Sequence, residues 1–459
     1  MIADEFRNDP RLAAARRLVR EALAEHQQRL AGPHAPAADR AADYGAMLEQ
    51  FGELRGGNLY FPFLGSGLGR GPLVELADGS VKYDMITGIG VHAGGHGNSL
   101  WVEAALDAAL SDTVMQGHLQ QNRESFELVQ SFVALARDDG ADFAHCVLTT
   151  SGAMANENAL KLAFARHHPA SRLLAFEHCF MGRTTTLAQI TDKPAYRAGL
   201  PATVCVDYLP FFDPAAPGPS IERAVTALKS HLARYPAQHA AMCFELVQGE
   251  GGYYPGDRDF FLALFDVLRA HDVAVLVDEV QTFGRTTRPF AFGHFDLGPH
   301  VDIATVGKMT QVCATLFRAD YRPPRGLISQ TFTGSGSSIF VARALLDRIR
   351  QGGDFGPEGR IQRIHERFAG HFERLADAMP GVVSGPFGLG GMIAFTPFDG
   401  TADAATRTVR ALYDDGVMTF LAGASPSRVR MLPPLFGMEM DDVDAVAAII
   451  ERTMANLAG

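Results

Sequence analysis

The sequence predicts an α/β protein built on a mostly parallel, doubly wound sheet. Strand-like apolar runs begin near residues 143, 173, 203, 242, 273 and 303, and intervals of helical length separate them. The run from Val273 to Val277 has no polar break, which is typical of a buried parallel strand. Because the chain has 459 residues and is 47% hydrophobic, we expect more than one core and two domains.

Composition and charge exclude several classes of protein. The formal net charge is -11 and the chain has no block of Lys or Arg, so we expect no nucleic-acid partner. No segment approaches the roughly 18 consecutive apolar residues of a membrane span. The acidic N-terminus lacks the apolar run of a presequence, so we expect a cytoplasmic protein. The five cysteines are scattered without metal-ligand spacing, which favours reduced thiols and no metal site.

The first 70 residues are expected to form a helix and an arm. Apolar residues recur at helical spacing between residues 10 and 31, which predicts an amphipathic helix that contacts another subunit. Two alternating runs from Leu73 to Asp84 flank Asp78-Gly79, a pattern that predicts a β-hairpin. The glycine-rich stretch 88–97 that follows is either a surface loop or a place where backbone approaches a ligand.

Small residues follow the strand that ends at Thr149. They open a helix whose first backbone N–H groups have no intrahelical acceptor and can meet an anion. We therefore expect a phosphate on Gly152 and Ala153, with a capped helix start that binds nothing as the alternative. Neither GxGxxG nor GxxxxGK[ST] is present, so no Rossmann dinucleotide site or P-loop is predicted.

The next strand is Leu173 to Phe176. The segment that follows it contains two candidates for ligand contacts, Phe180 and Arg183. Phe180 offers a flat ring to a planar aromatic cofactor, although core packing is the alternative. Arg183 can bind a carboxylate through two nitrogens or pair with a surface acid.

An acid and an amine follow the last two strands of the series. Asp278 follows the apolar run at 273–277, and Lys308 follows the run at 301–306. Open α/β sheets hold their ligands at the carboxyl ends of strands, so both side chains are expected in one crevice. This pair suits pyridoxal phosphate, whose aldehyde binds an amine and whose ring nitrogen needs an anion. An ion pair or two solvated strand ends is the alternative.

The C-terminal residues are expected to form a second domain. We place the large domain at 71–354 and a small α+β domain at 355–459, which covers the cleft together with the N-terminal segment. Strands are expected at Met392 to Phe395 and Arg428 to Met431, and the segment 441–457 is expected to be a closing helix.

Several segments together resemble the class III (ω-) aminotransferases, which are fold type I pyridoxal-phosphate enzymes. They occur in family order over roughly residues 70 to 440, and they are SGAMANE at 151–157, FMGRT at 180–184, QGEGG at 248–252, VDEVQT at 277–282, GK at 307–308 and RMLPPL at 430–435. The resemblance implies the fold of PLP-dependent transferases of type I. That fold has a large domain with a mostly parallel, seven-stranded type of sheet and a small α+β domain.

The resemblance also implies roles for individual residues. Lys308 would bind the cofactor covalently and carry the proton between substrate and cofactor carbons, Asp278 would face the ring nitrogen, and Gln281 would face the ring hydroxyl. The phosphate cradle matches Gly152 and Ala153.

Two further matches concern the ring face and the subunit contact. Phe180 would stack on the cofactor ring. In this family a threonine of the partner subunit reaches the phosphate, and Thr331 is the match, so a homodimer is expected.

Within the family, the run Gly307 to Cys313 is most similar to lysine 6-aminotransferases, which move the terminal amino group of L-lysine to 2-oxoglutarate. Such enzymes accept an uncharged chain in one half-reaction and a second carboxylate in the other. An arginine that a glutamate masks would serve both, and we expect Arg183 and Glu250 to form that pair. Arg430 is the candidate for the remaining carboxylate, with Arg428 as its competitor.

Departures from the family pattern keep other functions open. Met181 stands where the family has histidine, and the loop after Gln281 is shorter than usual. The alternatives are ornithine, acetylornithine or 4-aminobutyrate aminotransferase, a mutase, racemase or decarboxylase with the same cofactor, and a scaffold without turnover.

Overall fold

A seven-stranded sheet forms the centre of the computed structural model, which describes residues 1–112 and 115–459. Its strands are His145–Thr149 (β1), Arg172–Phe176 (β2), Cys205–Leu209 (β3), His239–Phe244 (β4), Ala274–Asp278 (β5), Ile303–Val306 (β6) and Cys313–Phe317 (β7). The spatial order is β1-β7-β6-β5-β4-β2-β3. Only β7 runs antiparallel to its neighbours, β1 and β6. The predicted α/β fold with a mostly parallel sheet is confirmed.

The sheet is buried on both faces because successive side chains of a strand alternate between them. In β5, Val275 and Val277 pack into one apolar cluster, and Ala274 and Leu276 pack into another. The helix Gly152–Arg166 covers the second face, and the helices Arg123–Asp138, Pro217–Arg234, Arg258–Ala270 and Gly336–Gln351 pack on the first.

Two smaller sheets lie outside the central sheet. The predicted hairpin consists of Leu73–Leu76 and Val81–Asp84, with Gly65–Arg70 beside it and Val417–Met418 parallel to its second strand. The other sheet is antiparallel and contains Val383–Leu389, Met392–Pro397, Arg428–Met431 and Phe420–Ala422. Its region also holds the helices Arg360–Ala378, Ala402–Asp414 and Met440–Ala458. The domain boundaries at residues 70 and 354 stay a prediction.

The N-terminal helix is Pro10–Gln27, and Asp9 caps it by accepting the Arg11 N–H at 2.8 Å. Its contact with another subunit stays a prediction. The remaining helices are Ile2–Arg7, Ala41–Leu54, Ser99–Ala109, Leu187–Ile190, Pro194–Arg197 and Ala291–His294, with 3-10 turns at Gly298–His300, Lys308–Thr310 and Ala319–Tyr321. Two-residue strand pairs are Met115–Gln116 with Gly334–Ser335 and Val247–Gln248 with Tyr254–Pro255. Within the described ranges, every helix is too short or too polar to cross a membrane.

The glycine-rich stretch begins with a left-handed turn at Thr87–Gly90, where four successive residues have φ between 51 and 81°. Ile89 is β-branched, so this backbone is strained by about 1–2 kcal/mol. Arg285 Nη2 donates to Gly90 O at 2.5 Å, and Thr87 Oγ1 donates to Leu432 O at 2.7 Å. The turn thus joins the segment after β5 to the segment after the strand Arg428–Met431.

Candidate active site

A cavity of about 330 Å³ lies at the carboxyl ends of the central strands. Asp278 ends β5 and lies opposite Thr305 of β6, and Lys308 follows β6 in a 3-10 turn. Both side chains line the cavity, so the structure brings the predicted acid and amine together. The other predicted residues that line it are Gly152, Ala153, Phe180, Gln281 and Arg183.

Asp278 is held by two donors. Asn156 Nδ2 donates to its Oδ2 at 2.7 Å, and the Val280 N–H donates to its Oδ1 at 2.8 Å. Asn156 Oδ1 in turn accepts from Thr305 Oγ1 at 2.7 Å, which fixes the orientation of the amide. Burial raises the pKa of the Asp278 carboxyl, and the Asn156 amide and the Lys308 ammonium oppose that rise.

Lys308 has an amine that loses its proton more readily than an exposed lysine does. Burial lowers the pKa of this amine, Asp278 opposes the shift, and the buried Arg285 cation adds to it. Its backbone has φ of 51°, in the left-handed region that side chains rarely adopt. The unprotonated amine is the form that attacks a carbonyl carbon, and a lowered pKa increases its fraction at neutral pH.

The helix that begins at Gly152 presents its N-terminus to the cavity. Ser151 Oγ accepts from the Met154 N–H at 3.2 Å, so the cap leaves the N–H groups of Gly152 and Ala153 for another acceptor. A Cβ on Gly152 would lie 2.7 Å from Val280 Cγ1, which explains the glycine. Two free N–H groups at a helix start fit a phosphate.

Gln281 and Phe180 provide the remaining wall. Gln281 Oε1 is buried and has no hydrogen-bond partner within residues 1–112 and 115–459. Phe180 is half-buried and lines the cavity, and its ring meets the Tyr196 ring edge-on, with the centroids 6.4 Å apart. An unpaired amide oxygen, a flat ring, an anion and an amine in one cavity fit pyridoxal phosphate.

Glu245 is a second buried carboxyl in the same cavity, and no role was predicted for it from the sequence. It accepts the Phe180 N–H at 3.0 Å and the Gly249 N–H at 2.9 Å. Burial and the nearby Asp278 charge raise its pKa to about 8. Glu245 directly follows β4, so the rule that identified Asp278 would also have found it.

Asn156 was also missed by the sequence analysis, although it lies in a matched segment. It is only 1% exposed on a helix that packs against the sheet. An amide at a core-facing helical position needs hydrogen-bond partners, and that is the signal that could have found it.

The expected pairing of Arg183 with Glu250 is wrong. Glu250 Oε1 accepts from Nη2 of Arg430, whose side chain is fully buried. The Glu250 carbonyl accepts the Gly423 N–H at 2.9 Å, which ties this turn to the small sheet that carries Arg430. Arg183 instead donates to Tyr196 Oη at 3.1 Å and stacks on that ring at 4.0 Å.

The competitor Arg428 is occupied by other contacts. It donates to Gly252 O at 2.5 Å and lies 4.2 Å from the Tyr254 ring and 3.6 Å from the Phe387 ring. Its neighbour Arg430 bonds Glu250 through Nη2 alone, and in the described part of the chain its Nε and Nη1 have no partner. Arg428 Nε also lacks a partner within the described ranges, but Arg430 has two such nitrogens and forms the ion pair with Glu250, which makes Arg430 the better candidate for a substrate carboxylate.

Two other residues named from sequence lie apart from these contacts. Met181 is buried, and its backbone N–H donates to Thr191 Oγ1 at 3.0 Å. Thr331 is exposed and does not line the cavity of its own chain. Its contact with a partner subunit's cofactor stays a prediction.

Comparison with known proteins gives one consistent family. The family model described as aminotransferase class-III matches residues 65–454. An acetylornithine aminotransferase of Archaeoglobus fulgidus is 29% identical over 393 residues, 83% of this chain and 93% of that protein. An L-lysine-epsilon aminotransferase of Mycobacterium bovis is 29% identical over 419 residues, with coverage of 83% and 89%. The solved lysine aminotransferase of M. tuberculosis has the same fold, with a TM-score of 0.78 at 24% identity and coverage of 89% and 99%.

Proposed function

Because this chain belongs to the class III aminotransferases, fold type I enzymes that use pyridoxal phosphate, we propose that it moves the terminal amino group of a donor such as L-lysine to a 2-oxo acid, with 2-oxoglutarate as the acceptor. The reaction is a ping-pong cycle in which donor and acceptor occupy the same site in turn. The donor has one carboxylate and an uncharged chain next to its reacting amine, and the acceptor has two carboxylates.

The residues at the strand ends have complementary tasks. Bound pyridoxal phosphate supplies an electrophilic aldehyde and a ring that draws electrons from the substrate carbon. Lys308 Nζ would hold the cofactor and would take up and return a proton at the same atom, which its lowered pKa permits. Asp278, oriented by Asn156, would keep the ring nitrogen protonated. That cation would also offset the cost of burying the Asp278 carboxylate.

The observation that carries the choice of substrates is the ion pair between Glu250 and Arg430. While Glu250 neutralises Arg430, the site suits the uncharged chain of a diamino acid. When Glu250 turns away, Arg430 is free for the second carboxylate of a 2-oxo acid, and a buried cation of this kind binds an anion strongly. Arg183, which lines the cofactor cavity, is proposed to bind the carboxylate that both substrates share.

A mostly apolar cavity of about 260 Å³ supports a donor with an uncharged chain; its lining includes Phe420, a neighbour of Arg430, and the polar residues Asp84, His92 and His96. It is lined by Tyr60, Phe61, Ile89 and Phe420 among others. The Phe420 ring centroid lies 5.4 Å from Arg430 Cζ. Methylene groups bind favourably against such rings.

We also infer a homodimer in which Thr331 reaches the phosphate in the partner subunit. The His118 N–H donates to Gln330 O at 3.0 Å, which brings Leu119, 95% exposed, near Phe332, 39% exposed. Exposed apolar side chains next to one another favour a protein contact. Mixing Lys308→Ala with Thr331→Ala chains should then restore activity, because each hybrid dimer contains one intact site. Failure to exceed the activity of either variant would argue against this arrangement.

A donor screen tests the proposed reaction. The holoenzyme is given 2-oxoglutarate with L-lysine, ornithine, 4-aminobutyrate or acetylornithine, and glutamate formation is measured. We expect the highest kcat/KM with L-lysine. A higher kcat/KM with acetylornithine would show that acetylornithine, and not L-lysine, is the preferred donor. Absence of glutamate with all four donors would contradict the proposed acceptor.

A further inference from the structure

Tyr253 is a buried residue with an unused hydroxyl beside the proposed carboxylate site. Its side chain is 0% exposed and packs among Val247, Met392 and Leu432. Among the residues that the structure describes, none forms a hydrogen bond with its hydroxyl. A buried hydroxyl without a partner costs about 1–3 kcal/mol, so its presence here needs an explanation.

The neighbour of this hydroxyl is Arg430. The Tyr253 ring centroid lies 5.9 Å from Arg430 Cζ, and the guanidinium acts on the phenol at short range without regular hydrogen-bond geometry. Arg430 itself is bonded only to Glu250, and over the described ranges Nε and Nη1 remain unpaired. The unpaired Tyr253 hydroxyl and the two unpaired nitrogens of Arg430 thus lie near one another in the core.

The backbone of Tyr253 is strained as well. Its φ is 59°, in the left-handed region, where a bulky residue costs about 1–3 kcal/mol. The Tyr253 N–H donates to Gln248 O at 2.9 Å, so the turn that carries Glu250 also fixes the ring. Strain of this kind persists only where the surrounding structure holds the residue in place, and residues of this kind cluster at ligand sites.

The protonation state of the phenol is compatible with donation. Burial raises the pKa of Tyr253 far above its usual range, against the opposing Arg430 and Arg285 cations. The hydroxyl therefore keeps its proton, and a carboxylate that entered beside Arg430 would supply the missing acceptor.

We propose that Tyr253 is a specificity-determining residue for the acceptor: when Glu250 leaves Arg430, the Tyr253 hydroxyl donates to the carboxylate that replaces it. This inference rests on the proposed function, in which Arg430 binds the second carboxylate of the 2-oxo acid. The ligand class is a dicarboxylate, since a donor with an uncharged chain brings no acceptor oxygen to this place. Tyr253 would add selectivity for the acceptor without affecting the donor.

The test compares Tyr253→Phe with Tyr254→Phe in the holoenzyme. Tyr254 is the matched control, because it is the adjacent tyrosine, is half-buried and contacts Arg428 instead of Arg430. Binding of glutarate, a dicarboxylate that cannot react, is measured by calorimetry, and KM is measured for 2-oxoglutarate and for L-lysine. We expect Tyr253→Phe to weaken glutarate binding and raise the KM for 2-oxoglutarate about tenfold. The KM for L-lysine and the behaviour of Tyr254→Phe should not change.

The Tm of Tyr253→Phe and glutarate binding by Arg430→Gln distinguish a failure of this proposal from a failure of the proposed function. Removing an unpaired buried hydroxyl should leave Tm unchanged or higher, whereas a purely structural role predicts a lower Tm and equal losses for both substrates, which would overturn the proposal. Unchanged glutarate binding in Tyr253→Phe would also overturn it if Arg430→Gln abolishes that binding. If Arg430→Gln binds glutarate normally, the assignment of Arg430 under the proposed function fails as well.

Discussion

Asn156 Nδ2 lies 2.7 Å from Asp278 Oδ2, and the same amide accepts a hydrogen bond from Thr305 through its oxygen. A side chain of the helix that is proposed to begin the phosphate cradle therefore orients the acid that is proposed to face the cofactor ring. One helix, Gly152–Arg166, would therefore position the groups at both ends of the proposed cofactor site.

The first prediction concerns that amide. Asn156→Ala removes a hydrogen bond to a charged group, which contributes about 1.5–3 kcal/mol, so the dissociation constant of pyridoxal phosphate should rise roughly 10- to 100-fold. Fluorescence titration of the cofactor-free protein measures it. Asn158→Ala is the control, because Asn158 is buried on the same helix and does not line the cavity. Equal losses in both variants would count against a specific role for Asn156.

The second prediction follows from the pKa of Glu245, which is about 8 in the folded chain against 4.5 for an ordinary glutamate. Between these values the folded protein holds a proton that the unfolded chain releases. The contribution of Glu245 to the free energy of unfolding is therefore present below about pH 4.5 and is lost as pH rises toward 8.

Thermal unfolding of the cofactor-free protein at pH 5 and pH 8 tests this dependence. Wild type should lose about 3 kcal/mol more stability over this interval than Glu245→Gln, whose amide does not titrate. The other buried acids are common to both proteins, so the difference reports on Glu245. A parallel pH dependence in the two proteins would show that Glu245 is ionised throughout.

The third prediction concerns the masking of Arg430. Glu250→Gln removes the negative charge, so Arg430 should attract carboxylates in both half-reactions. We expect the ratio of kcat/KM for L-lysine to that for L-glutamate as donors to fall about tenfold. Glu177→Gln, which changes an exposed acid, is the control and should keep the wild-type ratio. An unchanged ratio in Glu250→Gln would show that the ion pair between Glu250 and Arg430 does not determine donor specificity.

The sequence predicts the parallel strands of the central sheet, but it does not predict its antiparallel strand. Parallel strands separated by helices are visible as spaced apolar runs, and their carboxyl ends identified Asp278 and Lys308. The strand Cys313–Phe317 was missed because it turns back after the short segment 307–312, and antiparallel neighbours need no helix between them.

The pairing of charged side chains was harder to predict. Glu250 and Arg430 are 180 positions apart, on a turn and a strand of different sheets. Sequence spacing says nothing about which arginine meets the acid, so Arg183, from a nearer matched segment, was chosen wrongly. The contact is set by the tertiary packing that brings the turn after Val247–Gln248 against the strand Arg428–Met431.

The most direct measurement is to locate the lysine that binds the cofactor. The protein loaded with pyridoxal phosphate is reduced with borohydride, digested, and its peptides are analysed by mass spectrometry. We expect a pyridoxyl group on Lys308 and none at this position in the Lys308→Ala protein, because the Lys308 amine is buried beside Asp278 and has a lowered pKa. A pyridoxyl group on Lys82 or Lys161, with Lys308 unmodified, would contradict it.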